Sequence, residues 1–201
     1  MPKACTALKV PLAKIAQVRP GLSFREAIRH VEGGSISVVQ AGDIGVDGVI
    51  NPAELLRIAV VPVQGGIPEL KQGQVLLQSR GQSYRAGVVP PHHGAMVATA
   101  SLLVITPGAT VLSAYLAHFL NDPVTQAELR KRAAGATIAN LKRSELEDLE
   151  VLVPSLEDQK RIVALGEALR QQSRIEARLV ELRRIQLRAL IEERAERNRG
   201  R

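Results

Sequence analysis

Residues 149–201 read LEVLVPSLEDQKRIVALGEALRQQSRIEARLVELRRIQLRALIEERAERNRGR, and this stretch decides the architecture. Pro154 ends a short β-branched run, and the proline ring favours an extended entry into the next element. Ser155 is a natural N-cap, with Asp158 in the capping-box position three residues later. Because no proline follows, the pattern predicts one helix from Leu156 to Glu196, roughly 60 Å long at about 1.5 Å per residue.

The predicted helix carries an apolar seam with coiled-coil spacing. Its members recur three and four residues apart, with one doubled interval of three that marks a local stammer. They are Ile162, Leu165, Leu169, Gln172, Ile175, Leu179, Leu182, Gln186 and Ala189, and the stripe is widened by Val163, Leu187, Leu190 and Ile191. Polar seam residues fix register and partner, so we predict a dimerisation surface. A terminal helix docked on its own domain is the alternative.

Composition bounds the remaining possibilities. The 201 residues are enough for one large domain, or one domain with an appendage. A net charge of +7 favours a polyanionic partner such as nucleic acid. Two Tyr, two Phe and no Trp argue against an aromatic platform for single strands. A single cysteine, Cys5, and the lack of a long apolar run predict a cytoplasmic protein with no membrane association.

The sequence before the long helix predicts a strand-rich α+β domain over residues 1–154, followed by the helix over 155–201. Strands are expected within Lys9–Val18, Ser35–Gln40, Arg57–Val63, Gln74–Ser79, Ala86–Val89, Met96–Ile105 and Glu150–Val153. Helices are expected over Leu112–Leu120 and Val124–Ala134, with Ser144 capping one further turn.

Catalytic interpretations of this sequence are weak. Asp47 with Glu69 and Lys71 loosely matches a metal-dependent nuclease pattern, but acid-x-Lys triplets arise by chance in most chains of this length. Asn51-Pro52 lacks the second proline and the aromatic residue of a methyltransferase motif, so we interpret it as a turn. His92-His93 have no further ligand at metal-binding spacing. We therefore predict a protein that is not an enzyme and binds no metal.

Polar and basic residues between two apolar strands form the best candidate binding site. Arginine can grip guanine, and glutamine adenine, through paired hydrogen bonds, and loops on a rigid sheet place such groups well. The candidate base contacts are Arg80, Gln82, Tyr84 and Arg85, with Gln40 at an earlier strand end. The candidate phosphate contacts, which add affinity without sequence choice, are Arg130, Lys131 and Arg132. A solvated, charged surface is the alternative interpretation for each of them.

Five short motifs, taken together, resemble a known family. They are Pro20-Gly21-Leu22-Ser23-Phe24; Gly73-Gln74-Val75-Leu76-Leu77 leading to Arg80-Gly81; Tyr115-Leu116-Ala117-His118-Phe119-Leu120; Gly135-Ala136-Thr137-Ile138 with Leu141; and Leu152-Val153-Pro154-Ser155-Leu156 with Gln159 and Ile162. In this order and spacing, over nearly the whole chain, they resemble the specificity subunits of type I restriction-modification systems. Two departures are Gly73-Gln74 in place of the usual Gly-Asp, and Val153-Pro154-Ser155, where a second proline is common.

The resemblance implies both a function and its partners. In that family a β-rich target recognition domain reads half of a split DNA sequence, and a long helix pairs with its counterpart as a ruler. A full member has two of each, whereas this length suits one of each. We therefore expect a homodimer, paired through antiparallel helices, that reads a split palindrome in double-stranded DNA. An adenine methyltransferase subunit would be its partner and would hold S-adenosylmethionine, so this chain needs no cofactor; a translocating restriction subunit stays open.

Two other classes of function also stay open. A homodimeric DNA-binding regulator would use the long helix for dimerisation alone and would have no methyltransferase partner. A coiled-coil scaffold would show no salt-dependent retention on duplex DNA.

Overall fold

The computed structural model describes residues 8–24, 27–59, 67–81, 83–133 and 140–199, with the side chains of the last helix described as far as Glu192. The strands in these ranges are β1 (Leu8–Pro11), β2 (Ala16–Pro20), β3 (Ile36–Val39), β4 (Leu56–Ile58), β5 (Val75–Gln78), β6 (Ala86–Val88), β7 (Ala95–Ala98), β8 (Leu102–Pro107) and β9 (Glu150–Val153). The helices are α1 (Ser113–Asn121), α2 (Pro123–Ala133), α3 (Arg143–Glu147) and α4 (Leu156–Arg199). The chain divides into a compact unit, Met1–Val163, and a second unit, Ala164–Arg201.

Three sheets build the compact unit. The largest is antiparallel, in the order β2-β8-β5-β6. A second has the order β4-β3-β7, in which β3 is antiparallel to β4 and parallel to β7. The third pairs β1 with β9, so that Val10 lies opposite Val151. The unit is therefore closed by pairing its first described strand with the strand that immediately precedes α4.

Strand β5 is buried on both faces, which explains why its sequence is apolar without alternation. Side chains of a strand point alternately to opposite faces. Val75 and Leu77 accordingly lie in one core cluster, which also contains residues of α1, α2 and α3. Leu76 lies in a second core cluster, with residues of β7 and β8. All four residues of β5 are buried.

The α+β class with a long C-terminal helix is confirmed, and two of the predicted strands are corrected. The stretch Lys9–Val18 is two strands in different sheets, because a 3-10 turn at Leu12–Lys14 separates β1 from β2. The stretch Met96–Ile105 is also two strands, β7 and β8, separated by a turn in which the hydroxyls of Thr99 and Ser101 are 2.8 Å apart. Residues 60–63 of another predicted strand lie outside the described residues.

Two helix starts test the predicted caps. Ser155 does cap α4: its Oγ accepts from the backbone N–H of Asp158 at 3.2 Å and donates to Oδ2 of the same residue at 2.7 Å. Ser144 does not cap α3, because the helix already begins at Arg143 and Lys142 is its N-cap residue. None of the described helices combines the length and apolar composition of a membrane span.

Gln159 anchors the first turns of α4 in the compact unit. Its side chain is fully buried, at 0% exposure. The amide Nε2 donates to the carbonyls of Thr110 at 3.0 Å and Pro154 at 2.9 Å, while Oε1 accepts from the N–H of Leu112 at 2.8 Å. The compact unit consequently extends to Val163, whereas the sequence placed the domain boundary after residue 154.

Beyond Val163 the character of α4 changes. Among its described side chains, from residue 164 to 192, none is buried. The exposed seam members are Leu165, Leu169, Ile175, Leu179 and Leu182, at 44 to 64% exposure. Ion pairs between neighbouring turns, such as Arg188 with Glu192 at 3.1 Å, belong to the same stretch. Each contributes only about 0.3–0.5 kcal/mol to helix stability, so the exposed apolar seam is the dominant feature of this unit.

We expect Gln159→Leu to lower the free energy of unfolding of the compact unit by about 2–4 kcal/mol. The change leaves one buried N–H and two buried carbonyls without partners, and each such group costs roughly 1–3 kcal/mol, with partial relaxation. Denaturant titration followed by circular dichroism measures the effect. Gln171→Leu, at an exposed position of the same helix, is the matched control and should change stability by less than about 0.5 kcal/mol. Equal effects for the two variants would contradict the anchoring role.

Candidate nucleic-acid interface

Strands β5 and β6 form an antiparallel hairpin, and residues 79–85 are its loop. Leu77 lies opposite Ala86, and the N–H of Gln78 donates to the carbonyl of Arg85 at 3.0 Å. Gly81 has a φ of 106°, a conformation that a glycine adopts without steric cost. The predicted basic loop between two apolar strands is confirmed.

The side chain of Gln78 holds the base of this loop. It is 6% exposed, and its Oε1 accepts from Oγ of Ser83 at 3.1 Å and from the N–H of Arg85 at 3.3 Å. Its Nε2 donates to the carbonyl of Ala41 at 2.5 Å. One glutamine thus binds both the returning arm of the loop and the segment after β3.

Candidate Gln40 lies directly before that segment and is half-buried. Its backbone N–H donates to Oδ2 of Asp43 at 2.8 Å, which closes the 3-10 turn at residues 41–43. Because Gln78 bonds to Ala41, this turn is held next to the hairpin loop. The two candidate base-contact segments, far apart in sequence, are therefore neighbours in the structure.

The outgoing arm of the loop is also held. The carbonyl of Ser79 accepts from the N–H of Leu141 at 2.7 Å. Arg80 and Asn140 form an isolated antiparallel bridge through their backbones. The loop is therefore tied to the chain on both of its arms, and the side chains near its tip are carried on a fixed backbone.

Two side-chain amides close the free edge of β6. Gln126 accepts from the N–H of Tyr84 at 3.2 Å and donates to its carbonyl at 2.7 Å. Asn121 likewise accepts from the N–H of Ala86 at 2.9 Å and donates to the carbonyl of Ala86 at 2.8 Å. Gln126 also donates to the carbonyl of Leu120 at 2.6 Å. The corner between α1 and α2 is therefore bonded to the hairpin as a neighbouring strand would be.

Tyr84 is in the core, which corrects its prediction as a DNA contact. The residue is 1% exposed and belongs to the same cluster as Leu129 of α2. Tyr84 and Ala86 are alternate residues, so both side chains point into this cluster. Burial raises the pKa of the Tyr84 phenol, and the positive charge of Arg130 partly offsets the rise. The Arg130 charge therefore lies within electrostatic range of the Tyr84 phenol.

Four of the five basic candidates have side chains available for a ligand. Arg80, Arg130 and Lys131 are exposed, and Arg85 is half-buried. Within the part of the chain that the structure describes, none of the four side chains forms an ion pair or donates a hydrogen bond. Gln82, the fifth candidate on or near the loop, lies outside the described residues.

Arg132 differs from its two neighbours because it is used inside the protein. Its Nε donates to Oε1 of Glu128 at 3.0 Å, and its Nη1 donates to the carbonyl of Glu145 at 3.3 Å. This arginine connects α2 with α3, so a phosphate contact is not its role in the structure.

The sequence did not single out Gln78, Asn121 or Gln126. One signal was available for Gln126, because Gln126, Leu129 and Ala133 are spaced three and four apart and share the buried side of α2. A glutamine on the buried stripe of a helix must find hydrogen-bond partners there. No comparable signal marks the other two.

The weaker chemical candidates form local turns. Oδ1 of Asp47 accepts from the N–H of Val49 at 3.1 Å. Asn51 caps the 3-10 turn that follows it, accepting from the N–H of Ala53 at 3.2 Å, which confirms the turn interpretation. Across the described ranges, no three His, Cys, Asp or Glu side chains are grouped so that they could hold a metal.

We expect both tyrosines of the chain, Tyr84 and Tyr115, to ionise above the ordinary value of about 10, because burial raises each pKa. Replacing Arg130 by Ala should move one of the two phenolate absorbance steps to still higher pH, since a positive charge that favours the phenolate is lost. Tyr84→Phe assigns that step, and Lys131→Ala is the control that should leave both unchanged. Coincident titrations for Arg130→Ala and the parent would show that Arg130 is not near Tyr84.

Neither a scan against protein-family models nor a comparison with curated proteins gives a match. Solved structures do match. The HsdS subunit from Thermoanaerobacter tengcongensis aligns with a TM-score of 0.60 at 21% identity, covering 86% of this chain and 39% of the other. A structure described under complex assembly and conformational transition of the type I R-M system gives 0.60 at 20% identity, covering 86% and 40%. The type I restriction-modification S subunit from M. genitalium gives 0.58 at 15%, covering 92% and 44%.

At sequence identities of 15 to 21%, the similarity to these solved structures is a similarity of fold. The chain spans about two fifths of the length of the solved chains that it matches. The matched parts cover 86 to 92% of this chain. The chain therefore has the fold of part of a type I restriction-modification specificity subunit.

Proposed function

We propose that this protein is a DNA sequence-recognition subunit of a type I restriction-modification complex and is not itself an enzyme. The observation that carries the proposal is the hairpin loop 79–85. Its backbone is fixed by buried amides, while Arg80 and Arg85 have no partner among the described residues. Unpaired guanidinium groups on a rigid support are suited to reading a fixed pattern of acceptors. The shared fold supports the same interpretation.

Each candidate residue has a distinct role in this proposal. Arg80 and Arg85 would contact guanine O6 and N7 in the major groove, each through two hydrogen bonds. Gln40, and Gln82, which lies outside the described residues, would contact adenine in the same manner. Arg130 and Lys131 on α2 would bind phosphates, which position the protein on the duplex without selecting sequence. The net charge of +7 adds a general attraction to the DNA backbone.

The exposed seam of α4 would pair with the same seam of a second copy. An isolated helix is marginal in water and is stabilised mainly by packing, so apolar residues at 44 to 64% exposure call for a partner. An antiparallel pair with a two-fold axis lets the same surface meet itself. Two identical readers related in this way would select an inverted repeat with an unread spacer. A helix of about 60 Å would limit the half-site separation to roughly 17 base pairs.

A second apolar stripe on α4 supports a further helical partner. Leu187 and Ile191 were expected to widen the seam, but at about 100° per residue they lie with Val180 on the side opposite Leu182 and Ala189. These three residues are 48 to 60% exposed. One antiparallel partner covers a single stripe, so the second stripe suits a helix from another chain. An adenine methyltransferase subunit would supply that helix, and S-adenosylmethionine would be bound by that subunit.

Selection of duplexes from a random library tests the proposal with this protein alone. We expect the retained duplexes to converge on a split inverted repeat, with binding that weakens steeply as salt increases. Absence of enrichment, together with salt-independent retention, would sink the proposal and favour a coiled-coil scaffold. Co-expression with a type I methyltransferase subunit then separates the alternatives. Site-specific adenine methylation supports the specificity subunit, whereas binding without methylation supports a DNA-binding regulator.

Arg80→Ala should reduce discrimination between the selected duplex and one substituted in a half-site by about 1–3 kcal/mol, because one bidentate base contact is lost. Lys131→Ala should instead weaken binding to both duplexes equally. The dependence of log K on log salt concentration should also become shallower, by the amount expected for about one lost phosphate contact. Fluorescence anisotropy titrations at several salt concentrations measure both quantities. An unchanged preference in Arg80→Ala, combined with a lower melting temperature, would assign Arg80 to structure.

Truncation after Val163 should yield a folded monomer, because the compact unit retains Gln159 and its three hydrogen bonds. Truncation after Leu156 removes Gln159 and should destabilise the same unit, so the two endpoints distinguish dimerisation from folding. Light scattering at micromolar concentration reports the oligomeric state of the full chain and of each truncated form. A full chain that is monomeric, or a dimer that persists without residues 164–201, would rule out the proposed helix pair.

A further inference from the structure

We infer that Asn121 and Gln126 are positioning residues that set the register of the β5–β6 hairpin and, through it, the DNA sequence that the loop selects. The inference rests on the proposed function for its last step only. The hydrogen bonds at the edge of β6 carry the steps before it.

The two amides bond where a neighbouring strand would pair. Among the described strands β6 is the last in the order β2-β8-β5-β6, so no described strand pairs with its outer side. Alternate residues of a strand direct their N–H and C=O groups to the same side. Tyr84 and Ala86 are such a pair, and each receives one acceptor and one donor from a single side-chain amide, at 2.7 to 3.2 Å. A peptide group is itself an amide, so the bonding matches that of a strand.

This bonding selects one register. A slip of one residue in a hairpin sends every side chain to the opposite face. Here such a slip would turn Tyr84 out of the core and bring the charged Arg85 in. The amides of Asn121 and Gln126 can bond only to residues whose backbone groups point outward. Gln78, on the outgoing arm, binds the returning arm from its other side through the N–H of Arg85. Three side-chain amides thus fix which residues reach the loop tip.

Gln126 is buried and uses both of its N–H donors inside the protein, so it is not placed to contact DNA. It is 8% exposed, and its two N–H donors are used by the carbonyls of Tyr84 and Leu120. Its oxygen accepts from the N–H of Tyr84. Any effect of Gln126 on DNA choice must therefore act through the backbone that it holds, which makes it a positioning residue.

The same residue connects the two classes of DNA contact. Gln126 and Arg130 are four residues apart on α2 and so lie on one side of the helix. Gln126 binds both backbone groups of Tyr84, which places this part of α2 next to the returning arm of the hairpin. The base-contact loop and the phosphate-contact helix are consequently held as one body, so the register of one fixes its placement relative to the other.

The test compares two buried glutamines, one bonded beside each end of the β5–β6 hairpin. Gln126→Met keeps the volume and removes the clamp. Gln74→Met is the matched control: Gln74 is 7% exposed, and it bonds to the N–H of Lys71 at 3.0 Å and to Oγ1 of Thr106 at 2.9 Å, beside the other end of β5. Melting temperature, affinity for the selected duplex, affinity for a half-site-substituted duplex and amide hydrogen exchange are measured for the full-length protein.

We expect both variants to melt at lower temperature. Only Gln126→Met should lose discrimination, by about tenfold, while its affinity for unrelated duplex stays within about threefold of the parent. Only Gln126→Met should also show faster exchange at Tyr84. Undiminished discrimination in a folded Gln126→Met protein overturns the inference, as does an equal loss in Gln74→Met, which would mark general destabilisation.

A second variant keeps the test decisive if Gln126→Met does not fold. Asn121→Asp retains the acceptor for the N–H of Ala86 but loses the donor to its carbonyl, so a smaller change in the same direction is expected. If the parent protein shows no preference among duplexes, the proposed function fails. The register role is then decided by exchange alone: faster exchange at Tyr84 and Ala86 in the clamp variants supports it, and unchanged exchange refutes it.

Discussion

Buried backbone groups must find hydrogen-bond partners, and in this protein four buried glutamines meet that requirement where regular structure stops. Gln74 bonds the turn before β5, and Gln78 bonds the loop after it. Gln126 bonds the free edge of β6, and Gln159 bonds the junction between β9 and α4. An amide offers donors and an acceptor on one flexible stem, so it can substitute for a peptide group where no strand or helix continues. The hairpin and the start of α4 both depend on these bonds.

In both the hairpin and α4, buried or capping side chains hold the backbone, while other side chains stay available for a partner. In the hairpin, amides bind the backbone, while the side chains of Arg80 and Arg85 have no partner within the described ranges. In α4, Gln159 and the Ser155 cap hold the first turns, whereas no described side chain from residue 164 to 192 is buried. A fixed backbone with free polar groups is suited to a patterned ligand such as a DNA groove, because less conformational entropy is lost on binding. An exposed apolar seam is suited to another helix.

The candidate site joins segments that are distant in sequence. Gln40 and the hairpin loop meet through the bond from Gln78 to Ala41. The hairpin and α2 meet through Gln126. Arg132, by contrast, is engaged with Glu128 and Glu145. The two basic residues directly before it have no ion pair or donated side-chain hydrogen bond among the described residues, so the three neighbours on one helix differ in their roles.

The sequence alone determined α4, its Ser155 cap, most of the strands and the basic hairpin loop. These features rest on local patterns: side-chain periodicity, capping spacing and turn residues act over only a few positions. Tertiary structure alone decided that β1 pairs with β9, that two apparent strands are each divided by a turn, and that Tyr84 is in the core. It also decided what the buried glutamines do. A glutamine bears no mark of the backbone group it will meet, and the partners of Gln126 at Tyr84 lie 42 residues away along the chain. Only the packed chain brings such groups within hydrogen-bonding distance, so the positions of the candidate residues on the hairpin were fixed there and not by local sequence.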